Sequence, residues 1–334
     1  MAVTGATGFV GSVVLRGLLE ARADGRVDDV RALVRTPPGR RLRDEAGLSW
    51  RPTDLTDPSS LPGALDDVHV LVHLASRVSG EAPACEAVNV RGTAMLTEEA
   101  RRSGVRRVVQ LSTTAVYGAG PHRGLTVNEI APAPVSAASA TRLESERHVL
   151  ATGGTVLRAG LIVGQGDRWV VPALAELLAR VPALWDGGGG LLSLIDVEDL
   201  ARLITTTALM PDAPPTGIHH AAHPRPVRVR DLLTTLASLG VLPSVTESWP
   251  WDACVRRLRE VPGLMSERQF SLLALDHWYR GEEIWRLTGC PEGPGPLARL
   301  TSASAWYRSF LAESPWSPSG GPGRSKETAA IEHR

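Results

Sequence analysis

The 334-residue chain carries 36 Lys plus Arg against 36 Asp plus Glu, a formal net charge of zero, and the scattered signs leave no basic stripe for nucleic acid or an anionic membrane surface. Three widely spaced cysteines (Cys85, Cys254 and Cys290) with no CxxC pair argue against a disulfide framework and a zinc site and fit a reducing cytoplasm. No apolar run reaches the roughly 18 to 20 residues of a membrane helix and no charged leader precedes one, so a soluble cytoplasmic protein without a membrane partner is expected.

Up to about residue 160, short β-branched runs alternate with amphipathic stretches of helical length, the rhythm of an α/β, doubly wound parallel sheet. The first run, 2–4, is very short and leads into VTGATGFVGS, where Gly5, Gly8 and Gly11 lie between a strand end and a helix expected over 10–21. In that context Gly5 permits the tight turn, Gly8 lets backbone approach a pyrophosphate and Gly11 lets helix and strand pack closely; the turn predicts a dinucleotide site. The next strand, 30–34, ends at Arg35, and a guanidinium there suits the 2′-phosphate of NADPH better than the ribose hydroxyl of NADH. Arg40, Arg41 and Arg43 follow closely and are candidates for the same phosphate pocket.

Further strands are expected over 68–73, 107–111 and 155–157, and helices over 86–103 and 139–151. The first 160 residues thus read as an NADP-binding Rossmann domain. From 161 to 313 the pattern loosens into a smaller, mainly helical substrate lobe, broken by glycine and proline clusters at 187–190 and 211–215, with one strand at 218–221 and some elements returning to the Rossmann core. Most of the tryptophans fall here. Trp169, Trp185, Trp249, Trp251 and Trp278 are candidates for apolar pocket walls, with core packing the competing fate. From Ser314 the sequence turns Ser/Pro/Gly-rich and reads as an unstructured tail.

With these segments in order, residues 1–210 resemble the extended short-chain dehydrogenase/reductase family of the NAD-dependent epimerase/dehydratase type. The resemblance runs through TGATGFVG, PTDLTD, HLAS, NVRGT, LSTTAVYG, LRAGLIVG and IDVEDLA. It implies a Rossmann fold and a cofactor site formed by Gly5, Thr7, Gly8, Phe9, Val10 and Gly11 on the turn. Arg35, Asp54 and Leu55 would serve the adenosine end, Leu74, Ala75 and Ser76 the phosphate and nicotinamide-ribose path, and Arg142, Ala159 and Gly160 the remainder.

The chain departs from the family at the chemistry. Family members use a tyrosine and a lysine spaced YxxxK, the phenol exchanging a proton with the substrate oxygen and the ammonium lowering its pKa. Here SAASATRLESE places Ala138 at the tyrosine position and Arg142 at the lysine position. No shift of alignment rescues the pair, because the only lysine is Lys326 and no tyrosine lies between Tyr117 and Tyr279. Thr113 remains at the family's Ser/Thr position, a catalytic candidate whose hydroxyl can orient and weakly polarise a carbonyl, or simply a satisfied strand-end threonine. Arg142 keeps a reach to the ribose hydroxyls. Tyr117 belongs to a segment that is mostly structural in the family, and His122, in a loop, and Asp196 are further proton-partner candidates. His219, His220 and His223 have the density of a metal site but fit a strand exit, so no metal is expected.

Over its full length the chain is similar to ketoreductases that tailor angucycline-type aromatic polyketides, which implies NADPH-dependent reduction of a ring ketone to a secondary alcohol. Without a protein acid, the proton would come from water or from a phenolic hydroxyl of the substrate beside the ketone. A non-catalytic NADP(H)-binding sensor is the competing expectation. A nucleotide-sugar epimerase or dehydratase ranks last, since those reactions depend on the missing tyrosine.

Overall fold

The computed structural model describes residues 1–38, 46–212 and 215–313. Arg40, Arg41 and Arg43, and the tail from Ser314, lie outside them. The first strand, β1 (Ala2–Thr4), is wholly buried. The helix after it, α1 (Phe9–Ala23), buries Gly11, Val14, Leu15, Leu18 and Ala21, a stripe at helical spacing facing the sheet. Then come β2 (Val30–Val34), β3 (Leu48–Pro52), β4 (Val70–His73) and β5 (Arg107–Thr113). With strands Thr155–Ala159 and Gly217–Ala221 they form a seven-stranded sheet, in the order Gly217–Ala221, Thr155–Ala159, β5, β4, β1, β2, β3. Every pairing is parallel. Reversal of strand order beside β1 opens a crevice at the carboxyl ends of the strands, where doubly wound sheets place their ligands.

The expected helix over 86–103 is a continuous coil of three parts: a turn at Ala82–Cys85, a π-helical stretch at Glu86–Gly92 and an α-helix at Thr93–Arg102. A π segment widens the turn and re-aims the side chains it carries, and such segments recur at functional sites. It packs on the Ala137–Leu150 helix.

The second half is more than helical. Helices Val170–Arg180, Val229–Ser238, Trp251–Glu260, Glu267–Ala274 and Pro296–Glu313 surround a core that includes Trp185, Phe270 and Tyr307. Against them lies a four-stranded sheet of Val227–Arg228, Leu191–Leu192, His277–Tyr279 and His122–Leu125. The last of these comes from the first half of the chain, whereas Gly217–Ala221, from the second half, completes the main sheet. The Val197–Leu209 helix likewise packs against α1. Among the described residues no helix is long and apolar enough to cross a membrane.

Candidate active site

The glycine turn is held by contacts that exclude side chains. Gly5 has φ +69°, and a Cβ there would lie 2.7 Å from the Ala75 amide nitrogen; a Cβ on Gly11 would lie 1.9 Å from the Gly5 oxygen. Gly8 is the N-cap of α1 and supplies no side-chain cap. The first-turn amides are therefore left for an anion, and the helix dipole adds partial positive charge. Thr7 and Gly8 are exposed, Phe9 and Val10 half-buried. This is a cradle that a Cβ would fill, and its chemistry fits a pyrophosphate.

Beneath it, β1 and β4 are locked together. Thr4 Oγ1 accepts the amides of Leu74 and Ala75, each at 3.1 Å, and lies 2.7 Å from His73 Nδ1. Having accepted twice, the hydroxyl donates its own proton to Nδ1. The ring proton is thus on Nε2, which donates to Thr93 Oγ1 at 2.9 Å. Burial pushes the His73 pKa down to about 4, so the ring is neutral. Leu74, Ala75 and Ser76 emerge half-buried from this lock at the end of β4.

At the end expected to take the adenosine, Arg35 is exposed directly after β2. Asp54 Oδ1 accepts both the amide (2.8 Å) and the hydroxyl (2.7 Å) of Thr56. Leu55 is buried beneath Gly92, where a Cβ would lie 2.8 Å from the leucine Cβ.

Thr113 ends β5, and its Oγ1 accepts the Ala115 amide at 3.1 Å, leaving the hydroxyl proton to be donated. Ala138 is half-buried in the first turn of the Ala137–Leu150 helix, which Ser136 and Ser139 cap reciprocally. One turn on, Arg142 Nη2 donates to the Leu111 oxygen at 3.3 Å, and burial pushes its pKa down to about 10, still charged at neutral pH. Ala159 is buried at its strand end; a Cβ on Gly160 would lie 2.3 Å from the Ser193 oxygen.

Asn89 is a site residue that sequence reasoning missed. Buried within the π stretch, it accepts the Arg77 amide (2.7 Å) and donates to the Arg77 oxygen (2.9 Å) and to Thr141 Oγ1 (3.0 Å). It ties the segment after β4 to the helix carrying Ala138 and Arg142. The NVRGT segment was the available signal.

The remaining proton-partner candidates are committed elsewhere. Tyr117 is buried; its hydroxyl accepts from Arg158 Nη1 at 2.9 Å and lies 2.6 Å from His220 Nε2. His220 Nδ1 faces the Arg280 oxygen at 3.1 Å and can only donate to it, so Nε2 accepts the Tyr117 proton. Arg158 in turn grips Glu146, with Nη2 to Oε2 at 2.6 Å, and Glu146 also accepts from Ser112 Oγ. Burial raises the Tyr117 pKa above its ordinary value, so it is a poor acid. His122 does not lie in a free loop: it starts the His122–Leu125 strand, with Nδ1 2.7 Å from the Tyr279 hydroxyl. Asp196 caps the Val197–Leu209 helix through the Glu198 amide at 2.9 Å, and burial pushes its pKa up to about 6. His219 Nε2 faces the Thr216 oxygen and His223 Nδ1 accepts the Arg225 amide, and among the described residues no three His, Cys, Asp or Glu side chains gather where they could hold a metal ion.

Of the tryptophans, Trp185 is core, wholly buried and edge-on to Phe270 at 4.9 Å between centroids. Trp249 and Trp251 pack on that core, and Trp278 is half-buried. Trp169 is 48% exposed. A cavity of about 990 Å³ lies elsewhere, along the Gly217–Ala221 edge strand and bordered by Thr126, His220 and Trp285; three strands separate that edge from β1.

Residues 1–220 match the family model described as NAD dependent epimerase/dehydratase family. The chain is 29% identical over 343 residues to the 2-alkyl-3-oxoalkanoate reductase of Stenotrophomonas maltophilia, covering 91% of this chain and 98% of the relative. It is 28% identical over 310 residues to the 4-hydroxy-2-methyl-3-oxo-4-farnesyl-3,4-dihydroquinoline-1-oxide ketoreductase of Stigmatella aurantiaca, covering 89% and 84%. A shorter match, 40% identical over 122 residues, joins it to Sterol demethylase protein B of Methylococcus capsulatus, of which it spans 36%. The solved structure of the Bordetella bronchiseptica enzyme WbmG in complex with NAD and UDP shares the fold, with a TM-score of 0.71 at 17% identity over 92% of this chain and 94% of that one.

Proposed function

Because this chain belongs to the NAD dependent epimerase/dehydratase family, we propose that it is an NADPH-dependent ketoreductase that converts a ring ketone of an aromatic polyketide of the angucyclinone type to a secondary alcohol. The observation that carries this reading is the free hydroxyl proton of Thr113 at the end of β5, beside the helix whose first turn carries Ala138, the residue that the family resemblance aligns with the usual tyrosine. Two full-length relatives whose names describe reduction of 3-oxo compounds support the reaction class.

In this reading Gly5, Thr7, Gly8, Phe9, Val10 and Gly11 hold the pyrophosphate, Arg35 the 2′-phosphate, and Asp54 with Leu55 the adenine. Leu74, Ala75, Ser76, Arg142, Ala159 and Gly160 line the path to the nicotinamide. The dinucleotide supplies a hydride. Thr113 donates a hydrogen bond that orients and polarises the ketone oxygen, and its high pKa leaves it unsuited to give up the proton itself. The proton comes from a phenolic hydroxyl of the substrate next to the ketone, whose internal hydrogen bond already polarises the carbonyl and whose phenolate is a weaker base than the alkoxide. Half-exposed Trp169 offers an aromatic face to a flat substrate.

The test is NADPH consumption with a ring ketone bearing a neighbouring phenol and with its O-methyl ether. Reduction of the phenol and at least about tenfold slower reduction of the ether is expected; equal rates would remove the substrate phenol as proton source. The second reading, a dinucleotide sensor, is favoured by Ala138 alone. Tight NADPH binding with no consumption across a broad ketone panel would establish it.

A further inference from the structure

The segment between the Leu161–Val163 strand and the Val170–Arg180 helix is wedged between two helix N-termini. Gly164 (φ +125°) and Gly166 (φ +101°) adopt backbone conformations that side chains rarely tolerate. A Cβ on Gly166 would lie 2.9 Å from Phe9 Cδ2, and one on Gly164 would lie 2.8 Å from Val197 Cγ1. Residues 164–167 therefore press on the first residue of α1 from one side and on the Val197–Leu209 helix from the other.

What fixes this segment arrives from far along the chain. Tyr307, wholly buried in the Pro296–Glu313 helix, accepts the Gly164 amide on its hydroxyl at 2.8 Å and donates to Asp167 Oδ2 at 3.0 Å. Asp167, itself buried, accepts the amides of Trp169 and Val170 at 2.8 Å each and of Val171 at 3.0 Å. The phenol oxygen thus bridges both ends of residues 164–167. Packing alone would be served as well by a phenylalanine ring; the hydroxyl is there for the two backbone-fixing contacts.

We propose that Tyr307 is a positioning residue for the dinucleotide: through Gly164 and Asp167 it sets residues 164–167 against Phe9, and so holds the first turn of α1 in place for the pyrophosphate. This rests on the reading of the glycine turn as the NADPH site. The last described helix thereby contributes to cofactor affinity without touching the cofactor.

The test uses the full chain and Tyr307→Phe, which keeps the ring and removes the two contacts. Nicotinamide fluorescence titration should give an NADPH Kd raised about tenfold, the loss of roughly one well-placed hydrogen bond in binding. Hydrogen exchange in the cofactor-free protein should accelerate both at 164–169 and at 8–12. An unchanged Kd, or acceleration confined to the Pro296–Glu313 helix, overturns the proposal. If Y307F fails to fold, Asp167→Asn replaces the carboxylate that the phenol and the Val171 amide share, and the same rise in Kd is required of it. The result stands apart from the ketoreductase reading: a weakened Kd with no ketone ever reduced removes that reading and leaves this one. A reduced ketone with an unaltered Y307F affinity does the reverse.

Discussion

Asn89 and Thr141 meet across 3.0 Å between the π-helical stretch and the helix that bears Ala138, while the same asparagine grips the Arg77 backbone in both directions. Three hydrogen bonds of a buried amide thus set the distance between the end of β4 and the Ala137–Leu150 helix. Asn89→Ala should lower unfolding free energy by about 1–3 kcal/mol, measured by chemical denaturation, since it takes the side-chain partner from the Arg77 amide and carbonyl and one donor from the Thr141 hydroxyl, which keeps its own bond to the Ala137 oxygen. A loss below about 0.5 kcal/mol would mean that the helix is placed by packing alone.

Among the described residues, the proposed preference for NADPH rests on Arg35. Arg35→Ala should weaken NADPH about tenfold or more and leave NADH affinity nearly unchanged, so that the ratio of the two dissociation constants collapses. Equal weakening of both would assign Arg35 to something other than the 2′-phosphate.

Stability should fall steeply in mild acid. Burial pushes His73, His220 and His277 from 6.5 down to about 4. As pH drops below 6.5 the unfolded chain takes up these protons and the folded chain does not, so the stabilisation present above pH 6.5 is lost progressively toward pH 4. Asp196 works in the opposite sense: raised from 3.8 to about 6, its folded form takes up a proton first as pH falls, offsetting part of the loss. Thermal melting between pH 7 and pH 4 should show a net decline, and His220→Gln should make that decline shallower. A flat profile would contradict the neutral buried rings.

The vacancy at Ala138 is testable by filling it. Ala138→Tyr combined with Arg142→Lys should permit reduction of ring ketones lacking a neighbouring phenol, at a rate at least about tenfold above the parent chain. No gain, with NADPH affinity retained, would mean that the substrate oxygen is not presented to this helix.

The strands β1 and β2 coincide with their sequence expectations because both are central and buried, and apolar continuity marks such strands. β3 is not marked by the sequence because LSWRP has only β2 beside it and shows a half-exposed pattern with little apolar signal. His122 carries the sequence signal of a loop residue for a different reason. HRGL contains a glycine whose φ is +65° and whose missing Cβ leaves room for the Trp278 ring, and the strand partner that requires this lies about 150 residues later, at 277–279. The glycine turn is legible because the positive φ of Gly5 and the close Gly5–Gly11 approach are set within one short stretch, although the Ala75 backbone that also excludes a side chain at Gly5 is not; Asn89 and Tyr307 act through partners distant in sequence, which no spacing rule encodes. Trp185, a wall candidate, serves the core because its ring fills the space beside Phe270.

The strand at His122–Leu125 sits in the sheet of the later half of the chain, and Gly217–Ala221 sits in the sheet of the earlier half. Each half thus holds a hostage from the other. Neither can be cut out at residue 160 without leaving an open edge, and neither can swing away as a rigid body. Any breathing of the crevice must be absorbed by short connecting segments such as 118–121, and a fragment ending near 160 should be recovered only when co-produced with its complement.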